Sequence, residues 1–135
     1  MEICAYLNFN GQCAEAFDDY ARCLGGKIVA KQTFGESPMK DQVPADWHDK
    51  IVHMRLAAGH ALLMGSDAPP PRYSPPKGAQ VSVTVDTAAE AERIFNALAK
   101  GGTIGMPFAK TFWSDGFGMC TDRFGVPWMV GCGPL

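Results

Sequence analysis

The chain carries the same punctuation twice. Ala14-Glu15-Ala16 recurs as Ala89-Glu90-Ala91, and Gly25-Gly26 with Ile28 recurs as Gly101-Gly102 with Ile104, one residue being inserted between the two sets. Ala-Glu-Ala alone is a trivial match, but the shared order of strand, helix, Gly-Gly and strand is that of a duplicated half-domain. Between the copies, Asp67 to Gly78 reads Asp-Ala-Pro-Pro-Pro-Arg-Tyr-Ser-Pro-Pro-Lys-Gly and holds five of the ten prolines. Proline fixes φ and removes a backbone donor, so the stretch is expected to be a semi-rigid connector. The expected organisation is one domain over 1–135, with a first module over about 1–66, a linker over 67–78 and a second module over about 79–135.

Each half has one clear helix. In the first, Cys13, Phe17, Tyr20 and Leu24 fall at spacings of four, three and four and form one apolar stripe, which Gly25 ends as a C-cap. In the second, Thr87-Ala-Ala-Glu90 has the form of a capping box, Ala91, Ile94, Phe95 and Leu98 make the stripe, and Gly101-Gly102 stops it. Strands are expected over 3–9, 27–34, 51–58 and 60–66, then over 79–86, 103–113, 116–122 and 126–132. Gly59, Asp115-Gly116 and Asp122-Arg-Phe-Gly125 supply turns. Each half therefore reads β-α-β-β-β. The stretch 35–49, with Pro38, Pro44 and Trp47, reads as a polar loop that either moves or covers a site.

Composition bounds the function. At 135 residues, 47% hydrophobic and 19% charged, the chain suits a compact domain, and 12 basic against 14 acidic residues give a net charge of −2. That balance supplies no field for nucleic acid or an anionic membrane, no apolar run approaches a membrane span, and the opening Met1-Glu2 lacks the basic start of a signal peptide. A cytoplasmic protein with a small-molecule ligand is the expectation. The cysteines Cys4, Cys13, Cys23, Cys120 and Cys132 are odd in number and far apart, with no Cys-x-x-Cys pair, which favours reduced thiols over a disulfide frame or structural zinc.

The strand over 79–86 shows its faces most plainly. Val81, Val83 and Val85 alternate with Gln80, Ser82 and Thr84, so the valines are expected to pack on the helix while the polar face meets water or lines a cleft. From Thr111 to Val130 aromatic residues stand beside glycines, with Phe112, Trp113 and Phe117 expected near the mouth of an apolar pocket and Trp128 in the core.

Several of these segments together resemble a known family. Tyr6-Leu-Asn-Phe9, Ala14-Glu-Ala-Phe17, Leu24-Gly25-Gly26, Phe34-Gly35-Glu36, Gly65-Ser-Asp67, Thr111-Phe-Trp-Ser-Asp-Gly-Phe-Gly118 and Thr121-Asp-Arg-Phe-Gly-Val-Pro-Trp-Met129 resemble the PhnB-like branch of the vicinal oxygen chelate superfamily, the glyoxalase and bleomycin-resistance fold. The resemblance implies an α+β fold: two repeated β-α-β-β-β modules whose curved mixed sheets enclose a cleft, with helices on the outer face, usually in a homodimer. Metal-dependent members hold a divalent ion with His, Gln and Glu side chains from the first and last strands of the modules. Carried over one by one, those positions fall at Cys4 or Ala5, Met64, Gln80 and Met129. This set lacks carboxylates for a hard ion and histidine for zinc or nickel, so no metal or other cofactor is expected, although the methionines with Cys4 leave a soft-metal reading open.

Two functions from different classes follow. One is a metal-free binding module, a dimer holding a partly aromatic or apolar molecule in a cleft lined by Tyr6, Asn8, Gln80, Ser82, Phe112, Trp113, Phe117 and Met129. The other is a metal-dependent glyoxalase-like lyase or isomerase, or a dioxygenase, in which His53, beside Arg55 by strand alternation, acts as a general base. His48 and His60 receive no role. Methyl transfer, a label that some relatives carry, is opposed by the lack of a glycine-rich turn after a strand and of a parallel α/β pattern.

Overall fold

A computed structural model describes residues 1–133. Its backbone divides into two compact units, Met1–Pro75 and a second beginning at Pro76. The first contains β1 (Ala5–Phe9), α1 (Cys13–Leu24), β2 (Lys27–Thr33), β3 (Ile51–Ala58) and β4 (Ala61–Asp67). The second contains β5 (Val81–Val85), α2 (Ala88–Ala99), β6 (Thr103–Ala109), β7 (Phe117–Thr121) and β8 (Pro127–Cys132). The sheet orders are β1-β4-β3-β2 and β5-β8-β7-β6. In each, the first strand runs parallel to the last and the remaining pairs are antiparallel. The two halves are thus the same β-α-β-β-β unit, an α+β architecture of two open mixed sheets.

The Gly-Gly repeat has a steric cause. Gly25 caps α1 in the left-handed region at φ 64°, and Gly101 stands at φ 77° after α2. The glycine that follows passes tightly against a neighbouring strand. A Cβ on Gly26 would meet the Ala57 carbonyl at 2.8 Å, and one on Gly102 would collide with the Thr121 carbonyl. The first glycine reverses the chain and the second lets it enter the sheet.

In the first unit the core is built by Leu7 and Phe9 of β1, Phe17 and Tyr20 of α1, and Met54 and Leu56 of β3, all buried. Phe9 meets Phe17 edge-on with ring centroids 6.1 Å apart. The expected helix stripe holds for Cys13, Phe17 and Tyr20, whereas Leu24, in the last turn, is only half-buried. In the second unit Ile94, Phe95 and Leu98 of α2 are buried, as are Val126, Trp128 and Val130. Thr87 caps α2 by accepting from Glu90 N at 3.2 Å, but the Glu90 carboxylate turns to Arg93 instead of closing a capping box. A complete capping box forms elsewhere, between Thr33 and Glu36.

Four expectations require correction. The strand expected over 103–113 ends at Ala109, and Phe112 and Trp113 belong to the turn that follows. That turn is fixed by Ser114, whose carbonyl accepts from Thr111 N at 2.9 Å and whose buried hydroxyl is shared between the carbonyls of Gly116 and Cys132. Asp115-Gly116 is accordingly not a two-residue hairpin turn. Gly116 is required because a Cβ there would meet the Phe108 ring at 2.5 Å. Lastly, the strand expected from residue 3 starts at Ala5, leaving Cys4 before it, and β4 takes in Asp67, the first residue of the expected linker.

Candidate functional site

Alternation along the first sheet separates a helix-facing side from an open side. Ala5 shares its side with buried Leu7 and Phe9, whereas Tyr6 and Asn8 lie on the open side, paired with Met64 and Ser66 of β4. Met64 pairs in turn with Arg55, and Met54, between Arg55 and His53, pairs with Gly65 on the helix side, so His53 and Arg55 are also on the open side. Tyr6 Oη lies 3.2 Å from His53 Nδ1 and the two rings stack with centroids 5.8 Å apart. Arg55 donates to Glu2 at 3.3 Å. The structure thus brings together Tyr6, Asn8 and His53, and the pairing of His53 with Arg55 on one face is as alternation predicts.

In the second sheet one row crosses all four strands: Ser82, Met129, Met119 and Met106. The next row is Thr84, Gly131, Phe117 and Ala109. Gln80 is exposed and stands just ahead of β5. Phe117 is only 6% exposed and packs edge-on to Trp113 at 5.3 Å, and Trp113 packs on Phe112, which is 96% exposed. Phe112 and Trp113 line a small cavity of about 270 Å³ with Lys110, Ser114 and Cys132. Phe117 is part of the packing beneath that turn and is not among the residues lining this cavity.

The positions at which the resemblance implies metal ligands hold a poor donor set. Cys4 precedes β1, Met64 lies in β4 beside Tyr6, Gln80 is exposed, and Met129 lies between Ser82 and Met119; Ala5, the alternative to Cys4, is on the helix side. One thiol, two thioethers and one amide offer neither carboxylate nor imidazole, and so do not fit the superfamily's divalent ion. Among the described residues no three His, Cys, Asp or Glu side chains are grouped to hold a metal.

Two buried carboxylates were not singled out by the sequence. Asp122 accepts from Phe124 N at 2.9 Å, Val126 N at 3.0 Å and the Trp128 indole at 2.8 Å. Asp67 accepts from Cys13 N at 2.9 Å and Ile51 N at 2.8 Å, and burial holds its pKa above the ordinary carboxylate value. Both serve as structural pins that satisfy backbone donors. The Asp-x-x-Gly turn was a signal for Asp122; Asp67 was masked by the prolines that follow it. Burial also raises the thiol pKa of Cys13, and pushes that of Cys120 up to about 11, so neither is a nucleophile at neutral pH.

A larger pocket of about 510 Å³ lies within the first unit, between the segment after β2 and the proline-rich strap after β4. It shares Ser66 with the open face, and Ser66 Oγ is 3.5 Å from Asn8 Oδ1. Its walls come from residues far apart in the chain, such as Val43 and Pro70, which no local sequence pattern links.

The sequence pattern of the glyoxalase/bleomycin resistance protein/dioxygenase superfamily matches residues 5–130. The chain belongs to this superfamily. Among its relatives, Protein YjdN of Escherichia coli (strain K12) is 36% identical over 138 residues, covering 96% of this chain and 94% of that one. The crystal structure of protein PA1353 from Pseudomonas aeruginosa is 53% identical and superposes with a TM-score of 0.89, covering 98% of this chain and 97% of that one. A PhnB protein from Bacillus cereus, described as a putative 3-demethylubiquinone-9 3-methyltransferase, shares the fold at 23% identity and a TM-score of 0.83, covering 98% and 100% of the two chains. The match bears out the resemblance at the level of the superfamily. Among the described residues no helix is long and apolar enough to cross a membrane.

Proposed function

We propose that this superfamily member binds a small, partly aromatic or apolar molecule in a cleft, as a cytoplasmic homodimer, without the divalent ion that metal-using relatives employ. One observation carries the reading: the positions at which the resemblance implies metal ligands fall at Cys4 or Ala5, Met64, Gln80 and Met129, a set without the carboxylate and imidazole donors that a divalent ion wants. The open sheet faces support it, since Tyr6, Asn8 and Ser82 offer hydrogen bonds beside the adaptable apolar surface of Met64, Met119 and Met129.

A second reading, a metal-dependent glyoxalase-like lyase or isomerase or a dioxygenase, is favoured by the Tyr6–His53 contact, which orients an imidazole beside Arg55 as a general base would need. Native mass spectrometry of protein purified without chelators separates the two. The binding reading expects a dimer whose organic ligand stays bound after EDTA treatment. Dimers that carry stoichiometric metal, and lose ligand with it, would overturn that reading in favour of the second.

A further inference from the structure

The pocket inside the first unit goes beyond the cleft reading, because every residue lining it lies within Met1–Pro75. Both of its walls are held by hydrogen bonds and packing within the first unit. The segment 34–47 winds through three short 3-10 turns, Phe34–Glu36, Lys40–Gln42 and Ala45–Trp47. The Thr33–Glu36 capping box starts it, a Gly35 N to His48 O bond of 2.9 Å closes it, and His48 Nε2 stands 3.0 Å from Lys40 O across its middle. Trp47 packs edge-on against Phe34 at 6.1 Å. The opposite wall is the strap, tied to β1 by Ala68 N to Phe9 O at 2.8 Å and turned by Arg72 N to Pro69 O at 2.7 Å. Such preorganisation lowers the ordering entropy that a ligand must offset.

The lining chemistry selects the ligand. Phe34, Met39, Val43 and Pro44 face Val52 and the Pro69–Pro71 run, giving a slot of apolar and ring surfaces. Among the described lining residues Arg72 alone is a cation; it is exposed, stands at the rim, and makes no ion pair among the described residues. The Asp67 carboxylate lies at the buried end, with both oxygens already accepting backbone N–H groups. Negative charge is therefore disfavoured deep in the slot and favoured at its mouth. A volume of about 510 Å³ is in the range of pockets that take drug-sized molecules.

We propose that this pocket is a second binding site, for a compact aromatic monoanion whose rings lie between the 34–44 wall and the proline strap and whose carboxylate or sulfonate meets Arg72. The probe pair 1-anilinonaphthalene-8-sulfonate and N-phenyl-1-naphthylamine differs only in the sulfonate. Fluorescence titration of the full chain is expected to show saturable binding of the sulfonate probe at one site per chain. Arg72→Gln should weaken the sulfonate probe by about tenfold and leave the neutral amine within about twofold. Val43→Trp, which fills the slot from one wall, should abolish binding of both, and Val52→Phe, from the sheet side, should weaken both, in proteins that keep the wild-type circular dichroism and cooperative melting. Non-saturable binding to the wild type, equal losses of both probes on Arg72→Gln, or binding untouched by Val43→Trp and Val52→Phe would overturn the proposal. Each of these outcomes leaves the cleft reading standing, since none of the three residues is assigned to the cleft.

Discussion

Tyr6 of β1 reaches across β4 to place its hydroxyl 3.2 Å from Nδ1 of His53 in β3. The two strands are separated by two inter-strand spacings, roughly 9–10 Å, and the stacked rings span that gap on the open face. A phenol is the better donor of the pair, so its O–H is expected to point at Nδ1 and to leave the imidazole proton on Nε2. Nitrogen-15 spectra of the neutral ring should show a larger share of the Nε2–H form in the wild type than in Tyr6→Phe. An unchanged tautomer ratio would remove Tyr6 as the positioning residue for His53.

Asp122 satisfies two backbone donors and the indole of fully buried Trp128. Asp122→Ala strands all three in a dry interior and should destabilise the protein by about 3 kcal/mol or more in urea unfolding. A loss below about 1 kcal/mol would mean that water replaces the carboxylate.

The cysteines should fall into two classes. Cys4 and Cys23 are half-buried, while Cys13, Cys120 and Cys132 are buried, and no disulfide joins them among the described residues. At pH 8 an aromatic disulfide reagent should modify Cys4 first, with Cys13 and Cys120 reacting only on unfolding, because burial opposes their thiolates.

Alkaline stability should carry the same signature. Burial first, and the Asp122 carboxylate second, raise Cys120 from an ordinary thiol value of 9.0 to about 11. The unfolded chain therefore loses this proton first. The contribution is fully present below pH 9 and is lost as pH rises from 9 toward 11. Cys120→Ala should flatten the decline of unfolding free energy over that window relative to wild type, whatever its effect on the value at pH 7.

Where local rules decide the outcome, the sequence was legible. The Cys13, Phe17 and Tyr20 spacing, the Val81, Val83 and Val85 alternation and the two Gly-Gly pairs each depend on neighbours within one or two elements, and each predicted its element. For Phe112 and Trp113 the local pattern predicts a strand, but the turn is set by Ser114 reaching Cys132, eighteen residues away, a bond with no local trace. The open face of the first sheet was half legible: alternation linked His53 to Arg55, but the Tyr6–His53 contact depends on β1 pairing parallel with β4, a long-range register. The strap pocket was hidden for the same reason, since Val43 and Pro70 meet only after the sheet has brought their segments together.

The metal-free reading rests on the donor chemistry at Cys4, Met64, Gln80 and Met129, and the metal content of the protein decides it. Protein purified without chelators should contain well under one divalent ion per chain by plasma mass spectrometry, and ligand binding should be the same before and after exhaustive chelation. One ion per chain, with binding or turnover lost on its removal and restored on its return, would contradict the account.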